Sequence, residues 1–253
     1  MIEIQSLSAG YSSKPVLNKI DLSCSSGQIT AIVGKNGCGK STLLKTLAGI
    51  LAPKEGQIYI NGRELSSYSR NALAKTLSYL PQSRSVPQIT AEQMVLHGRF
   101  PYLSYPHSYR DEDRKIARES MEMLGILDLK DTPLPSLSGG MRQKVYIAMA
   151  LAQGTSVVLM DEPTTFLDIH HQYQIMDQAH KLATEGKTVV MVLHDLDAAL
   201  QNADQIAVMD DGRILFCGNP DAVLESGCLE HVFHIKVGRF LTDSGWQYFF
   251  ERR

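Results

Sequence analysis

Paired cysteines, an excess of one charge and long hydrophobic runs are all missing from this sequence. Its four cysteines, Cys24, Cys38, Cys217 and Cys228, are scattered, and none belongs to a C-x-x-C pair. That spacing indicates neither a disulfide framework nor a thiolate zinc site, and it fits free thiols in a reducing compartment. Lysine and arginine together number 25 against 27 acids, a formal net charge of −2. No basic surplus is available to neutralise a phosphodiester backbone, so nucleic acid is not an expected partner. The longest apolar stretches, such as TVVMVL at 188–193, fall far short of the roughly 20 residues that span a bilayer. The opening MIEIQSLSAGY has no basic stretch followed by an apolar one, so a secretory leader is not expected. Internal repeats and low-complexity tracts are missing too. The expectation is a cytoplasmic protein which, if it works at a membrane, is held there by a partner.

What is present is an ordinary globular balance: 253 residues, 43% apolar and 21% charged. That is enough chain for one large α/β domain, or for a core with a smaller attached subdomain. Short apolar runs alternate with helical patterns, as in a mainly parallel sheet. ITAIVG (29–34), QIYING (57–62), LSYLPQ (77–82), SVVLMDEP (156–163) and KTVVMVLHD (187–195) read as strands. GKSTLLKTLAGI (39–50) reads as a helix. From about 84 to 152 the pattern turns helical: Thr90 is placed to cap TAEQMVLHGRF, and DEDRKIARESMEMLGI opens with acids in its first turn. Asp168 caps a further helix to about Glu185, with Gly186 as its stop. Asp210-Asp211-Gly212 reads as a tight turn between QIAVM and RILFC. The tail from 228 reads as a short helix and a pair of strands.

The chemistry concentrates in a few stretches. GKNGCGKST (34–42) fits G-x-x-x-x-G-K-[ST] and lies between a strand and a helix, the context that motif requires. Gly34, Gly37 and Gly39 let the backbone wrap phosphates. The N–H groups of Asn36, Cys38 and their neighbours point inward at a helix N-terminus. Lys40 would reach the outer phosphates, Ser41 would ligate Mg²⁺, and Thr42 completes the loop. VVLMDEP supplies the second half. Asp161 ends a buried strand, where it can hold a magnesium shell. Glu162 follows it and can orient and deprotonate an attacking water. Gln82 ends LSYLPQ and is a candidate metal ligand, although a Gln beside a Pro is usually a plain loop residue. His194, after a strand, is a candidate donor to a terminal phosphate, although a lone His is usually structural. Tyr11 can stack on a base, and taken alone is more often a packing residue. LSGGMRQKVYIAMALAQ (137–153) reads as a second anion-holding helix start, at Ser138, Gly139 and Gly140.

Together these stretches resemble the ATPases of ABC transporters. The P-loop (34–42), Gln82, the LSGGQ-type signature (137–141), the pair Asp161–Glu162, the TFLD loop (165–168) and His194 stand in that family's order. The resemblance implies a RecA-like P-loop NTPase core (1–83 and 153–253), an antiparallel β subdomain, and an inserted helical subdomain (about 84–152). It implies ATP and Mg²⁺ as ligands, and a homodimer of cassettes that share two ATP sites. Each signature helix then caps the nucleotide held by the other subunit, and Asp168 lies near the seam. The second cradle is therefore not redundant.

HGRFPYLS (97–104), DEPTTFLDIHHQYQIM (161–176) and DDGRILFCGNPDAVL (210–224) further resemble the ATPases of importers for iron-siderophore, haem and cobalamin. That implies two membrane permease subunits, an extracytoplasmic substrate-binding protein, and a peripheral position on the cytoplasmic face of the membrane. The aromatic cluster Phe100, Tyr102, Tyr105 and Tyr109 suits a permease groove, and ordinary packing of a loop onto its helix explains it as well. A soluble ABC ATPase of translation or DNA repair is the alternative, but it usually carries two cassettes or a long coiled coil, neither of which is present. A P-loop kinase would not need LSGGM. One departure from the family pattern is Met141, where Gln is usual. Cys38, inside the P-loop, is a candidate oxidation site.

Overall fold

The computed structural model describes all residues except 12, 13, 83–85, 106, 166, 244 and 253. The expected start of the helical insertion, near 84, and Phe166 of the TFLD loop lie outside the described residues.

Two antiparallel strands come first, β1 (Ile2–Ala9) and β2 (Leu17–Cys24). Next come β3 (Ile29–Gly34) and α1 (Lys40–Leu47). The expected helix stops short of Ile50 because Gly49 adopts φ 69, a left-handed C-terminal stop. β4 (Glu55–Ile60) and β5 (Arg63–Glu64) form a hairpin whose turn residues Asn61 and Gly62 both have positive φ. Then follow α2 (Arg70–Thr76) and β6 (Leu77–Leu80), which ends just before Pro81.

Between 91 and 152 the described residues form helices and short 3-10 turns and no strand. α3 (Ala91–Leu96) starts at a Thr90 capping box completed by Gln93. α4 (Asp111–Met123) opens on three acids, as expected. α5 (Gly139–Ala152) is capped by Ser138.

β7 (Val157–Asp161), α6 (Ile169–Thr184), β8 (Thr188–Val192), α7 (Leu196–Asn202), β9 (Gln205–Asp210) and β10 (Arg213–Gly218) rebuild the α/β pattern. The chain finishes with α8 (Pro220–Glu225), α9 (Cys228–Phe233) and the hairpin of β11 (Ile235–Thr242) and β12 (Gly245–Arg252).

The main sheet has the order β10-β9-β3-β8-β7-β6, parallel throughout except for β10. β3, β7 and β8 are buried along their whole length. That is why they read as unbroken apolar runs: both faces are covered. Alternate residues serve two cores. Val158, Met160, Val189 and Met191 face the helices, whereas Val157, Leu159, Val190 and Val192 face α1 and the antiparallel sheet β2-β1-β4-β5. On α1, Leu43, Leu44 and Leu47 are fully buried in the second core, each stabilising by about 1.5–3 kcal/mol. Ile32 and Asp161 both pair with Val192. The carboxyl ends of β7 and β8 are therefore level and β3 runs two residues further, to Gly34; this edge is where an open α/β sheet binds its ligands.

Candidate active site

A cavity of about 300 Å³ opens at those strand ends. Its lining includes Asn36, Gly37, Gly39, Lys40, Ser41, Thr42, Gln82, Glu162 and His194, residues from four separated stretches of sequence. Val16 is the one lining residue that the sequence reading missed. It adds an apolar wall, but a lone valine before a strand carries no signal of that role.

The loop after β3 is shaped by glycine. Gly39 has φ 110, and a Cβ there would press on Leu17 at 2.9 Å. At Gly34 a Cβ would sit 2.2 Å from the Met209 carbonyl oxygen. By contrast, Gly37 has φ 80 and open space around it, so backbone rather than side chain faces the cavity. Lys40 is buried, and its ammonium donates to the carbonyls of Gly34 (2.7 Å) and Lys35 (2.9 Å). A buried cation held inside a glycine-rich loop at a helix start is a fitted site for a polyphosphate.

Ser41 Oγ donates to Asp161 Oδ1 at 3.1 Å, and the Tyr79 hydroxyl reaches Asp161 Oδ2 at 3.5 Å. Burial pushes the Asp161 carboxyl above its ordinary range, and the neighbouring Glu162 adds to this while the Ser41 hydrogen bond opposes it. Two hard oxygens side by side, one on a carboxylate that burial disfavours, fit a small divalent cation.

Glu162 is 8% exposed. It takes φ 52, a left-handed conformation that costs a non-glycine residue roughly 1–3 kcal/mol. Its carboxylate is gripped from two sides: Gln82 Nε2 donates to Oε2 at 2.6 Å, and His194 Nε2 lies 2.5 Å from Oε1. Thr165 Oγ1 adds a longer bond to Oε2 at 3.3 Å. The arrangement presents one oriented carboxylate to the cavity beside a cation and a metal-type oxygen pair. It can activate water against a phosphoryl group.

The remaining sequence candidates lie elsewhere. Tyr11 is exposed and outside the lining; its hydroxyl accepts from Lys45 Nζ at 3.2 Å. Cys38 is buried against Gly34, and burial pushes its thiol up, which argues against ready oxidation. None of Ser138, Gly139 and Gly140 lines the cavity. Ser138 Oγ accepts from the Met141 amide at 3.2 Å, and Gly139 has open space on its Cβ side. Met141 packs its side chain on the helical core. Asp168 caps α6 through the His171 amide (2.9 Å) and also bonds the His171 ring, and the backbone bond holds its carboxyl below the usual range.

The ABC transporter family profile matches residues 17–165, which is more than half of the chain. The chain belongs to the ABC transporter family. This cassette is an ATPase of importer type, and ATP is its nucleotide. It is 38% identical over 236 residues to the achromobactin transport ATP-binding protein of Dickeya dadantii, covering 92% of this chain and 88% of that one. It is 39% identical over 223 residues to the hemin import ATP-binding protein of Nocardia farcinica, covering 88% and 77%. Among solved structures it is similar to a dimeric ATP-binding cassette in a post-hydrolysis state bound to ADP and phosphate. That likeness has a TM-score of 0.78 at 29% identity, over 87% of this chain and 99% of that one. Cassettes of this family dimerise, and import subunits work with a membrane permease. Among the described residues, no helix of this cassette is long and apolar enough to cross a membrane.

Proposed function

We propose that the cassette powers uptake of an iron complex, a siderophore or haem, or of cobalamin, through a separate permease. Two copies would close head to tail around two ATP molecules. The observation that carries this reading is a separation. The cavity is lined by P-loop residues and Glu162, while the helix start at Ser138–Gly140 lies outside that lining, with Ser138 and Gly139 exposed and Gly139 facing open space. A second copy brings such a helix start to the cavity mouth, because a two-fold interface presents both halves on each surface.

In this reading, Lys40 and the loop amides of Gly34–Thr42 hold the phosphates. Ser41 and Asp161, with Gln82 beside them, hold Mg²⁺, which when bound neutralises charge building up between the outer phosphates. Glu162 takes a proton from the attacking water, and His194 and Gln82 keep its carboxylate aimed. Tyr11 remains the proposed base-stacking residue. Ser138, Gly139 and Gly140 cap the partner's nucleotide, and Asp168 stands near the seam. ATP joins the two copies and ADP cannot, so hydrolysis favours opening.

The permease would comprise two membrane subunits, and an extracytoplasmic binding protein would deliver the cargo. The cassette would then sit peripherally on the cytoplasmic face. Support for the cargo class comes from the names of the relatives and from the three sequence stretches noted above. Glu162→Gln with saturating Mg-ATP should elute from gel filtration as a dimer; monomer alone would end the shared-site reading. Uptake assays with ferric siderophores, haem and cobalamin, in cells carrying the transporter with and without active cassette, decide the cargo.

A further inference from the structure

The helix start at Ser138 and the carboxylate of Glu162 lie apart, yet α5 is tied to the turn that carries that carboxylate. Gln143, one turn into α5, donates from Nε2 to the carbonyl of Pro163 at 2.8 Å. The adjacent Lys144 is 3% exposed and donates to Gln174 Oε1 of α6 at 2.9 Å. Burial lowers the Lys144 ammonium, and the charge of Asp168 counters that. Two consecutive side chains thus grip the segment 163–174 from one helix.

The position of the first grip matters. Pro163 immediately follows Glu162, whose φ of 52 has to be imposed by its surroundings. Proline brings no N–H to this turn. Among the described residues, backbone bonds of the turn include Glu162 N to the Val192 carbonyl at 3.1 Å, Thr165 N to the Glu162 carbonyl at 3.3 Å and Leu167 N to the Thr164 carbonyl at 3.3 Å. Gln143 adds a shorter bond from a different element.

We propose that Gln143 is a positioning residue for Glu162. By holding the Pro163 carbonyl it sets the backbone at Glu162 and so the aim of the carboxylate. It also makes that aim follow the position of α5. From Gly139 to Gln143 is little more than one turn of helix, about 6 Å of rise. A shift of the helix start when it meets the partner's nucleotide is therefore passed to the carboxylate of the helix's own subunit. Loading one site would in this way tune hydrolysis at the other. The inference rests on the proposed assignments of Glu162 as base and Ser138–Gly140 as the partner's cap.

The test is Gln143→Met, which keeps length and removes the donor, alongside Gln143→Glu, which sets a carboxylate against the carbonyl. Steady-state phosphate release from the purified cassette should fall about tenfold in kcat, with KM for ATP within about twofold of wild type, because the defect lies in the chemical step. The melting temperature should stay within a few degrees. A double-mutant cycle supplies the readout that a purely structural role would not move. In a Glu162→Gln background, followed with labelled ATP, Gln143→Met should lower the residual rate no further. A second tenfold loss there would mean Gln143 acts without Glu162 and would overturn the proposal. Wild-type kcat in both single variants, with Glu162→Gln inactive, would overturn it as well. Full turnover in Glu162→Gln would instead remove the base assignment beneath it.

Discussion

At the scale of single residues, Glu162 concentrates the most physics. It is buried, held left-handed, and bonded by Gln82, Thr165 and His194. Glu162→Gln keeps the shape and removes the basic oxygen, so kcat should drop at least about a hundredfold while ATP still binds; equilibrium binding beside phosphate release checks both halves. Its neighbour Asp161 makes a different prediction. Its pKa is higher in the folded chain than in the unfolded one, so the ionised form destabilises the fold. That penalty is absent below the ordinary carboxyl range and complete above the folded pKa. Without nucleotide, Asp161→Asn should therefore melt higher than wild type at pH 7, and the gap should close as pH falls through the carboxyl range. Mg-ATP should stabilise the wild type far more than the variant. A variant that melts lower at neutral pH would contradict this account.

Residues of the P-loop were legible because the motif is local: spacing along one chain segment decides which amides turn inward. Val16 was not legible, because its place on the wall depends on how β2 lies against that loop. Tyr11 shows the converse. Its type suggested stacking, but the fold leaves it beside Lys45 and outside the cavity.

At the scale of elements, the 3-10 turn at 97–102 lies close against α5 at Gly98. A Cβ on Gly98 would sit 2.2 Å from the Met149 carbonyl oxygen. Gly98→Ala should destabilise by about 1–3 kcal/mol through overpacking, visible in chemical denaturation. An unchanged midpoint would show that the turn can slide away. Arg99 locks the same junction, pairing with Asp113 of α4 at 3.0 Å, donating to the Ala152 carbonyl and lying 4.0 Å from the Tyr102 ring centroid. Met141, at the departure from the family pattern, has its side chain against the core and its amide on Ser138. Because the cap bond uses only the backbone of residue 141, Met141→Gln should change the ATPase rate by less than about a hundredfold, roughly 2.7 kcal/mol in barrier. Element type was readable from periodicity, and the stops at Pro81 and Gly186 were readable as well, whereas the left-handed stop at Gly49 ends α1 earlier than the expected Ile50.

At the scale of the whole molecule, the aromatic cluster of the helical stretch divides into two kinds. Tyr109 packs on the core, and Tyr102 gives its hydroxyl to the Gln153 carbonyl at 2.9 Å. These two are accounted for by packing. Phe100 is exposed and stacks on His107, and Tyr105 is 92% exposed. Of the four, Phe100 and Tyr105 are the ones left exposed for the proposed permease contact. Tyr105→Ser should reduce recovery of the permease in co-purification without lowering the melting temperature of the isolated cassette, and equal recovery would return the cluster to plain packing.

The chain order of apolar runs, caps and glycines was enough to determine the class of fold, the glycine-rich loop after β3, the acidic pair at the end of β7 and a second capped helix start at Ser138. All of these are local properties: a helix cap, a turn or an unbroken buried strand is specified by residues within a few positions of one another. Tertiary structure alone decided the strand order β10-β9-β3-β8-β7-β6, the convergence of Gln82 and His194 on one carboxylate, and the exclusion of Ser138–Gly140 from that same cavity. Those facts join residues tens of positions apart. They depend on how two cores pack against opposite faces of one sheet, and no spacing along the chain encodes that.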